Sequence, residues 1–204
     1  MPNVDAAFGF RPVGHMLGLP WNGNLQKCYV HADYGTGLFI GDPVDFDTTD
    51  GDLDTTGMHP TVIPTGNGTD GVQCCGVVVN AEPNRDNLTQ QYHAPSTEGY
   101  VYVCMDPFVI YQVQDDGGGT PAKTWINCNA GYLSGTGSTV TGKSAYELDG
   151  GTTTTIAVNG SFPLWILRLA NIEGNELADY AIWEVLIGLN RLRSAAGEGI
   201  LGVL

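Results

Sequence analysis

The amino-acid sequence predicts an all-β protein, either a β-barrel or a jelly-roll-like β-sandwich, with an extended N-terminal arm. Three observations lead to this prediction. Short segments rich in β-branched and aromatic residues recur along the chain, each bounded by Gly, Asp, Asn or Pro. The 29 glycines and 11 prolines are spread over 204 residues, as in proteins with many tight turns. Hydrophobic residues make up 42% of the chain and charged residues 15%, so a chain of this length can bury a sizeable core.

Residues 1–24 are predicted to form the arm. Three prolines and four glycines in this segment disfavour a helix of any length. The segment also carries large apolar side chains, which an unstructured tail in solvent would not hold. The arm is therefore expected to lie on a surface, either that of its own domain or that of a neighbouring subunit. Its large apolar residues are Phe8, Phe10, Met16, Leu17 and Trp21.

Residues 25–190 are predicted to form the β domain. The sequence of residues 71–80, GVQCCGVVVN, is almost continuously apolar and indicates a strand buried on both faces. The sequence of residues 109–119, VIYQVQDDGGG, instead alternates in its second half and then meets a turn cluster, which is typical of a half-solvated hairpin arm. The predicted strands are residues 25–30, 38–46, 72–79, 100–105, 109–114 and 152–158.

Two further apolar segments, residues 164–169 and 180–188, fit a helix or a strand by periodicity alone. We favour strands, because Ile182, Trp183 and Val185 are strong β-formers. A helix over residues 177–193 is the main alternative. Residues 82–98 are predicted to be an insertion, either a surface loop or a short helix, and residues 191–204 form a C-terminal tail.

The chain is strongly acidic. It carries 22 acidic and 8 basic side chains, a formal net charge of −14. Apart from Arg191 and Arg193 the basic residues lie far apart, so we expect no nucleic-acid partner. The sequence shows no signal-peptide pattern and no apolar run of the ~18 to 20 residues that a membrane helix needs, so no membrane partner is expected. The five cysteines form no C-x-x-C pair, which favours reduced thiols in a protein made in a cytoplasm.

Two motifs resemble nucleotide-binding patterns but stand in the wrong context. Residues 137–144, GSTVTGKS, match the phosphate-binding pattern G-x-x-x-x-G-K-[ST]. A working loop of this kind follows a buried strand and opens a helix, whereas here a polar segment precedes it and Gly150 and Gly151 follow soon after. The G-x-G-x-x-G match at residues 66–71 precedes a strand, so it is predicted to be a turn. We expect no enzymatic activity and no cofactor.

The acidic stretch of residues 42–54 holds six carboxylates and no basic residue, which raises the question of a calcium site. The candidate ligands are Asp45, Asp47, Asp50 and Asp52. Their spacing does not fit an EF-hand loop, because Thr49 stands at the third ligand position and Asp50 at the obligatory glycine position. The stretch is therefore predicted to be a solvated loop without a metal.

Several segments, in the same order over roughly residues 3–190, resemble a family of structural proteins from tailed-bacteriophage virions. The similarity runs from NVDAAFGFRPVGHMLG and GNLQKCYVHADYGTGLFIGDPV through GVVVNAEPNRDNLTQQYHAPST and VYVCMDPFVIYQVQDDG to NAGYLSGTGSTVTGKSAYELDG and LWILRLANIEGNELADYAIWEVLIGLNRL. Family members resemble residues 135–150 without the lysine, which would make Lys143 incidental to the phosphate-loop match. The resemblance implies a virion component, often a decoration or cement protein at the capsid.

Under this hypothesis the chain sits on the capsid surface as a homotrimer and binds the major capsid protein. The capsid-binding residues predicted in the arm are Phe8, Phe10, Arg11, Pro12 and Trp21. Arg191 and Arg193 are candidates for a further contact near the C-terminus. The alternative is a tail, connector or head-fibre protein, and a more remote one is an NTP-binding enzyme that uses residues 137–144.

Overall fold

The computed structural model describes residues 3–154 and 156–192, and it confirms the all-β prediction. These residues contain twelve strands, two short 3-10 turns (Asp50–Asp52 and Lys123–Trp125) and no α-helix. The longer strands are β1 (Arg11–His15), β2 (Gln26–Val30), β3 (Pro43–Phe46), β4 (Val62–Pro64), β5 (Gly76–Ala81), β6 (Gly99–Cys104), β7 (Val109–Gln114), β11 (Leu164–Leu169) and β12 (Ile182–Ile187). The two-residue strands are β8 (Asn129–Ala130), β9 (Tyr132–Leu133) and β10 (Glu147–Leu148).

Ten of these strands form two antiparallel sheets of five strands each. The first has the order β1-β7-β12-β11-β8 and the second the order β2-β6-β5-β3-β4, while β9 and β10 pair with each other. Side chains from both sheets share one buried cluster, with Tyr111 and Trp183 from the first sheet and Val77 and Cys104 from the second. The arrangement is consistent with a β-sandwich.

The second sheet also curls back on itself. The Tyr29 amide in β2 donates a hydrogen bond of 2.9 Å to the Pro60 carbonyl, and Tyr29 forms a bridge with Thr61 beside β4. The edges of the sheet therefore meet, and the sheet encloses a second buried cluster that includes Val30 and Val103. Such closure removes part of the free edge that an open sheet would expose.

The predicted burial on both faces is confirmed for residues 74–78, whereas Gly71 and Asn80 at the ends of the predicted segment are exposed. Cys74 and Val77 lie in the cluster between the sheets, whereas Cys75 and Val78 lie in the cluster that the second sheet encloses. Neighbouring side chains of this segment therefore point to two different apolar environments, which explains the absence of a polar alternation. Four of the five cysteines are buried, and all four are free thiols. They are Cys28, Cys74, Cys75 and Cys104.

The strand predictions near the C-terminus are confirmed, because β11 and β12 form an antiparallel pair. Residues 177–192 contain no helix, and residues 82–98 form a loop. The prediction of a strand over residues 152–158 is wrong. The backbone amides of Thr152, Thr153 and Thr154 donate to the Asp149 carboxylate and are lost to strand pairing. Of the described residues in that range, Ala157 alone forms a bridge.

The prediction that residues 109–114 are half-solvated is also wrong, since every residue of β7 is buried. The side chains on its second face are polar but covered. Gln112 accepts a hydrogen bond of 2.6 Å from Arg11, and Gln114 donates one of 2.7 Å to the Val4 carbonyl. The polar alternation that suggested exposure therefore supplies partners for the N-terminal segment.

Candidate interaction groove

The arm residues singled out from the sequence come together along one groove, with a volume of about 220 Å³. The opposite wall comes from β5 and from two loops. We call this feature the arm groove. Its lining residues are Phe8, Phe10, Arg11, Pro12, Trp21, Ile40, Val78, Val79 and Lys143. Seven of these nine residues are apolar, and the two that are charged are both cations.

Two polar side chains hold the first described residues of the arm against the domain. The Asn3 side-chain amide donates to the Glu176 carbonyl at 2.9 Å, and the Glu176 amide donates back to Asn3 Oδ1 at 3.0 Å. Gln114 donates to the Val4 carbonyl at 2.7 Å and accepts from the Ala6 amide at 2.9 Å. These side chains substitute for the ladder bonds of a strand, so a segment without regular structure is fixed in place.

Phe10 anchors the arm in the core of its own domain. The residue is 2% exposed, and its ring makes edge contacts with Tyr111 and Tyr132 at centroid distances of 6.4 and 5.6 Å. Its amide donates to the Gly41 carbonyl at 2.9 Å. The side chain of Phe10 therefore stabilises the base of the arm groove from within. Among the arm residues, Phe8, Arg11, Pro12 and Trp21 form the accessible wall.

The cations of the groove are held differently. The Arg11 guanidinium lies 4.9 Å from the centroid of the Phe8 ring and donates a hydrogen bond of 2.6 Å to Gln112. These contacts orient a flexible side chain along the rim. The Lys143 side chain is exposed and forms no ion pair with any residue of the described ranges. In a chain with a net charge of −14, the arm groove thus combines apolar walls with positive charge.

The phosphate-loop match at residues 137–144 forms a turn in which several amides are already hydrogen-bonded. The Ser138 amide donates to the Lys143 carbonyl and the Gly142 amide to the Ser138 carbonyl, both at 2.8 Å, and the Ser144 amide donates to the Ile40 carbonyl at 2.9 Å. The segment leads into β10 and not into a helix. It therefore lacks the helix N-terminus whose amides hold a phosphate, and its lysine belongs to the rim of the arm groove.

The four predicted calcium candidates are not assembled into one site by the described residues. Asp45 pairs with Arg191, and Asp47 accepts a bond of 2.8 Å from the Thr49 amide. Asp52 lies 3.6 Å from His31, whose Nδ1 is also 3.8 Å from Asp33. The side chain of Asp50 lies outside the described part of the structure. The acidic stretch is thus divided among separate local contacts.

Arg191 ties the end of the described chain to the second sheet. Its Nε donates to Asp45 Oδ1 at 3.0 Å, and its terminal nitrogen contacts the other oxygen of the same carboxylate. This hydrogen bonding raises the pKa of Arg191 above its ordinary value. The backbone amide of Arg191 donates to the Cys74 carbonyl at 2.9 Å. The second residue predicted for a C-terminal contact, Arg193, lies outside the described residues.

Sequence reasoning identified one wall of the arm groove and missed the other. Ile40, Val78 and Val79 look like ordinary strand residues, and no local pattern marks them. They reach the groove because the backbone segment at Ile40 and Gly41 bonds both to the arm and to Val78. Lys143 stood out in the sequence only through the match to the phosphate-binding pattern, which indicated a different function.

The chain matches no protein-family model, no curated protein and no solved structure. No helix within residues 3–154 and 156–192 is long and apolar enough to span a membrane. What the protein does is therefore inferred from its own residues and their geometry.

Proposed function

We propose that this chain is a structural component of a tailed-phage virion, a capsid decoration or cement protein that binds the major capsid protein and stabilises the shell. The arm groove is the single observation that carries the proposal. It joins an apolar wall made by Phe8, Pro12 and Trp21 to the cations Arg11 and Lys143. Such a surface suits a protein segment with apolar and acidic side chains. The resemblance of several segments, in the same order, to virion proteins supports the capsid shell as the partner.

The proposed attachment depends on the burial of apolar surface and involves no catalytic step. Covering about 500 Å² of apolar surface corresponds to roughly 12 kcal/mol before the costs of ordering and association. In a homotrimer, the second and third grooves would bind at high effective concentration, which raises the overall affinity for a symmetric shell. The net charge of −14 would keep densely coated particles apart in solution. No cofactor and no nucleic acid takes part.

Copy number tests the position in the particle. Quantitative gel densitometry of purified virions should give hundreds of copies per particle, because a decoration protein coats a symmetric shell. About a dozen copies or fewer would reject this position and favour a tail, connector or head-fibre protein, since those structures have low rotational symmetry.

Re-binding to shells depleted of the protein tests the arm groove. We expect the double variant Arg11→Ala, Lys143→Ala to bind at least about tenfold more weakly and with a smaller salt dependence, because two cations at the contact are lost. Lys123→Ala is the matched control, since Lys123 is exposed and lies in a 3-10 turn outside the groove. Equal binding by the double variant and the control in a cosedimentation assay would reject the groove as the contact.

The same Lys143 variant tests the nucleotide alternative. Titration of the wild-type chain with Mg-ATP should show no binding at millimolar concentration, because several loop amides are already hydrogen-bonded and no helix follows the loop. Binding that Lys143→Ala abolishes would favour the enzyme instead.

A further inference from the structure

A second cleft shares no lining residue with the arm groove and is larger, with a volume of about 540 Å³. Aromatic rings form much of its lining. Phe39 and Tyr92 stack with their centroids 4.9 Å apart and their planes 14° from parallel. Tyr34 and Tyr146 line the same space. Residues 35–37 and 135–137 complete the walls, and glycines at both ends of each segment leave those positions without side chains.

Asp42 lines this cleft with a carboxylate that is only partly satisfied. The residue is 3% exposed, and its Oδ2 accepts a hydrogen bond of 2.8 Å from the Phe39 amide. Its Oδ1 is buried and accepts no well-formed hydrogen bond from the described residues, although the Ser144 hydroxyl lies close enough to the carboxylate to lower its pKa. A buried, half-paired carboxylate is costly, because water no longer solvates the charge. Such a group lowers its free energy when a donor or a positive charge reaches it.

The ionisation of Asp42 reflects the same environment. Burial raises the pKa of Asp42 to about 6, against the lowering effects of the Phe39 amide and the Ser144 hydroxyl. Burial, followed by the charge of Asp42, raises the pKa of Tyr146. None of the residues that line the cleft is Lys, Arg or His, so the cleft itself supplies no counter-charge.

We propose that this cleft binds a primary ammonium or guanidinium group, the chemistry of a lysine or arginine side chain. The cation would donate to the Asp42 carboxylate, and a charge-assisted hydrogen bond is about twice as strong as a neutral one. The rings of Tyr34, Tyr92 and Tyr146 would face the alkyl stem and the charge, as in other aromatic cation sites. A neutral hydroxylated ligand would leave the carboxylate without a counter-charge. This inference does not depend on the proposed capsid role or on the arm groove.

Small probes test the site directly. We expect n-butylammonium and n-butylguanidinium to bind the full chain with a Kd on the order of 1 mM in titrations followed by NMR, and n-butanol to bind at least about tenfold more weakly. In Asp42→Asn the side-chain carbonyl can keep the Phe39 bond, so the amide NH₂ takes the place of Oδ1 and opposes a cation. This variant should lose at least about tenfold in affinity. Asp33→Asn is the control, since the side chain of Asp33 is 80% exposed.

Measurements on the wild-type chain keep the test independent of how Asp42→Asn folds. Between pH 7 and pH 5 the affinity for n-butylammonium should fall about tenfold, because Asp42 takes up a proton near pH 6. The other titratable groups that face the cleft are the phenols of Tyr34, Tyr92 and Tyr146. A pH-independent affinity, equal binding of n-butanol, or binding of glucose in place of the cations would each overturn the proposal.

A last comparison distinguishes the sources of the cation. Binding of a blocked Gly-Lys-Gly peptide in preference to putrescine supports recognition of a protein side chain. Preference for putrescine supports a free amine as the ligand. Failure of both to bind overturns the proposal.

Discussion

Trp183 donates a hydrogen bond of 3.2 Å from its indole Nε1 to Oδ2 of Asp115, and both residues are fully buried. Asp115 Oδ1 accepts two further bonds, from the amides of Gly117 at 2.9 Å and Tyr180 at 3.0 Å. One carboxylate therefore joins the turn after β7 to the start of β12. Burial raises the pKa of Asp115, and these donors oppose that effect.

We expect Asp115→Ala to lower the free energy of unfolding by about 3 to 5 kcal/mol, because it leaves an indole and two amides unpaired in the interior. Urea unfolding followed by tryptophan fluorescence measures the change. Asp70→Ala is the control, since Asp70 is exposed and the change there should stay within about 0.5 kcal/mol. A loss at position 115 as small as that of the control would show that Asp115 does not fix the two strands.

Glu147 gives the protein a stability term that weakens as the pH rises. Burial, together with the charges of Asp5, Asp116 and Asp115, raises the pKa of Glu147 from 4.5 to about 7. The unfolded chain releases this proton near pH 4.5 and the folded chain near pH 7. The contribution of Glu147 to the free energy of unfolding is therefore complete below pH 4.5 and is lost as the pH rises through 7.

Glu147→Gln should therefore match the wild type at pH 4 and exceed it at pH 8. Because Glu147 is partly exposed, we expect a gain of about 1 kcal/mol, well below the value that the full shift implies. The corresponding rise in Tm is about 2 to 4 °C for a chain of this size. Thermal unfolding across the pH range measures it, with the exposed Glu173→Gln as the control. An advantage that does not vary with pH would contradict the assignment.

The strands that were predicted correctly are those whose local composition is enough to specify a buried strand. Residues 109–114 and 164–169 form strands with the predicted bounds. Both are runs rich in large apolar residues, which favour a strand when they are buried. Residues 152–158 have a similar composition but form a loop, because Asp149 captures three successive amides. A single carboxylate thus overrides local propensity, and composition does not reveal it.

The candidate site was predictable on one side only. Phe8, Arg11, Pro12 and Trp21 stood out because large apolar residues lay in a proline-rich segment. The opposite wall depends on which strand the arm crosses, and that pairing is set by contacts between distant parts of the chain. Asp42 was hidden for a different reason. It is one of six carboxylates in an acidic stretch; Asp42 and Asp54 are both buried, but only Asp42 lines the aromatic cleft.

Asp149 should make the protein sensitive to acid. Burial of this carboxylate acts to raise its pKa, but hydrogen bonds from Thr153, Gly151 and Thr154 outweigh burial and lower it below 3.8. A depressed carboxylate pKa contributes stability that is present above the unfolded value and is lost as the pH falls through the folded value. Asp149→Asn should cost about 2 to 3 kcal/mol at pH 7, where the charged acceptor is replaced by an amide.

Urea unfolding at several pH values measures this effect. The difference between Asp149→Asn and the wild type should shrink as the pH falls below 3.8, because protonation of the wild-type carboxylate removes the same charge. An equal difference at pH 7 and pH 3 would mean that the charge of Asp149 contributes nothing.

Phe8 and Phe10 are close in sequence but should give opposite phenotypes. Phe10→Ala removes a ring buried against Tyr111 and Tyr132, and we expect it to cost about 3 to 5 kcal/mol of unfolding free energy. Phe8 is half-buried and lies under Arg11, so Phe8→Ala should cost less than about 1 kcal/mol in stability. Loss of the Phe8 ring should instead weaken the proposed attachment to the capsid shell, because it removes apolar area from the accessible wall of the arm groove. Urea unfolding and cosedimentation on the same two variants separate the effects. If Phe8→Ala destabilises the fold as much as Phe10→Ala, Phe8 belongs to the core, and the groove would lose the apolar wall that the proposed contact requires.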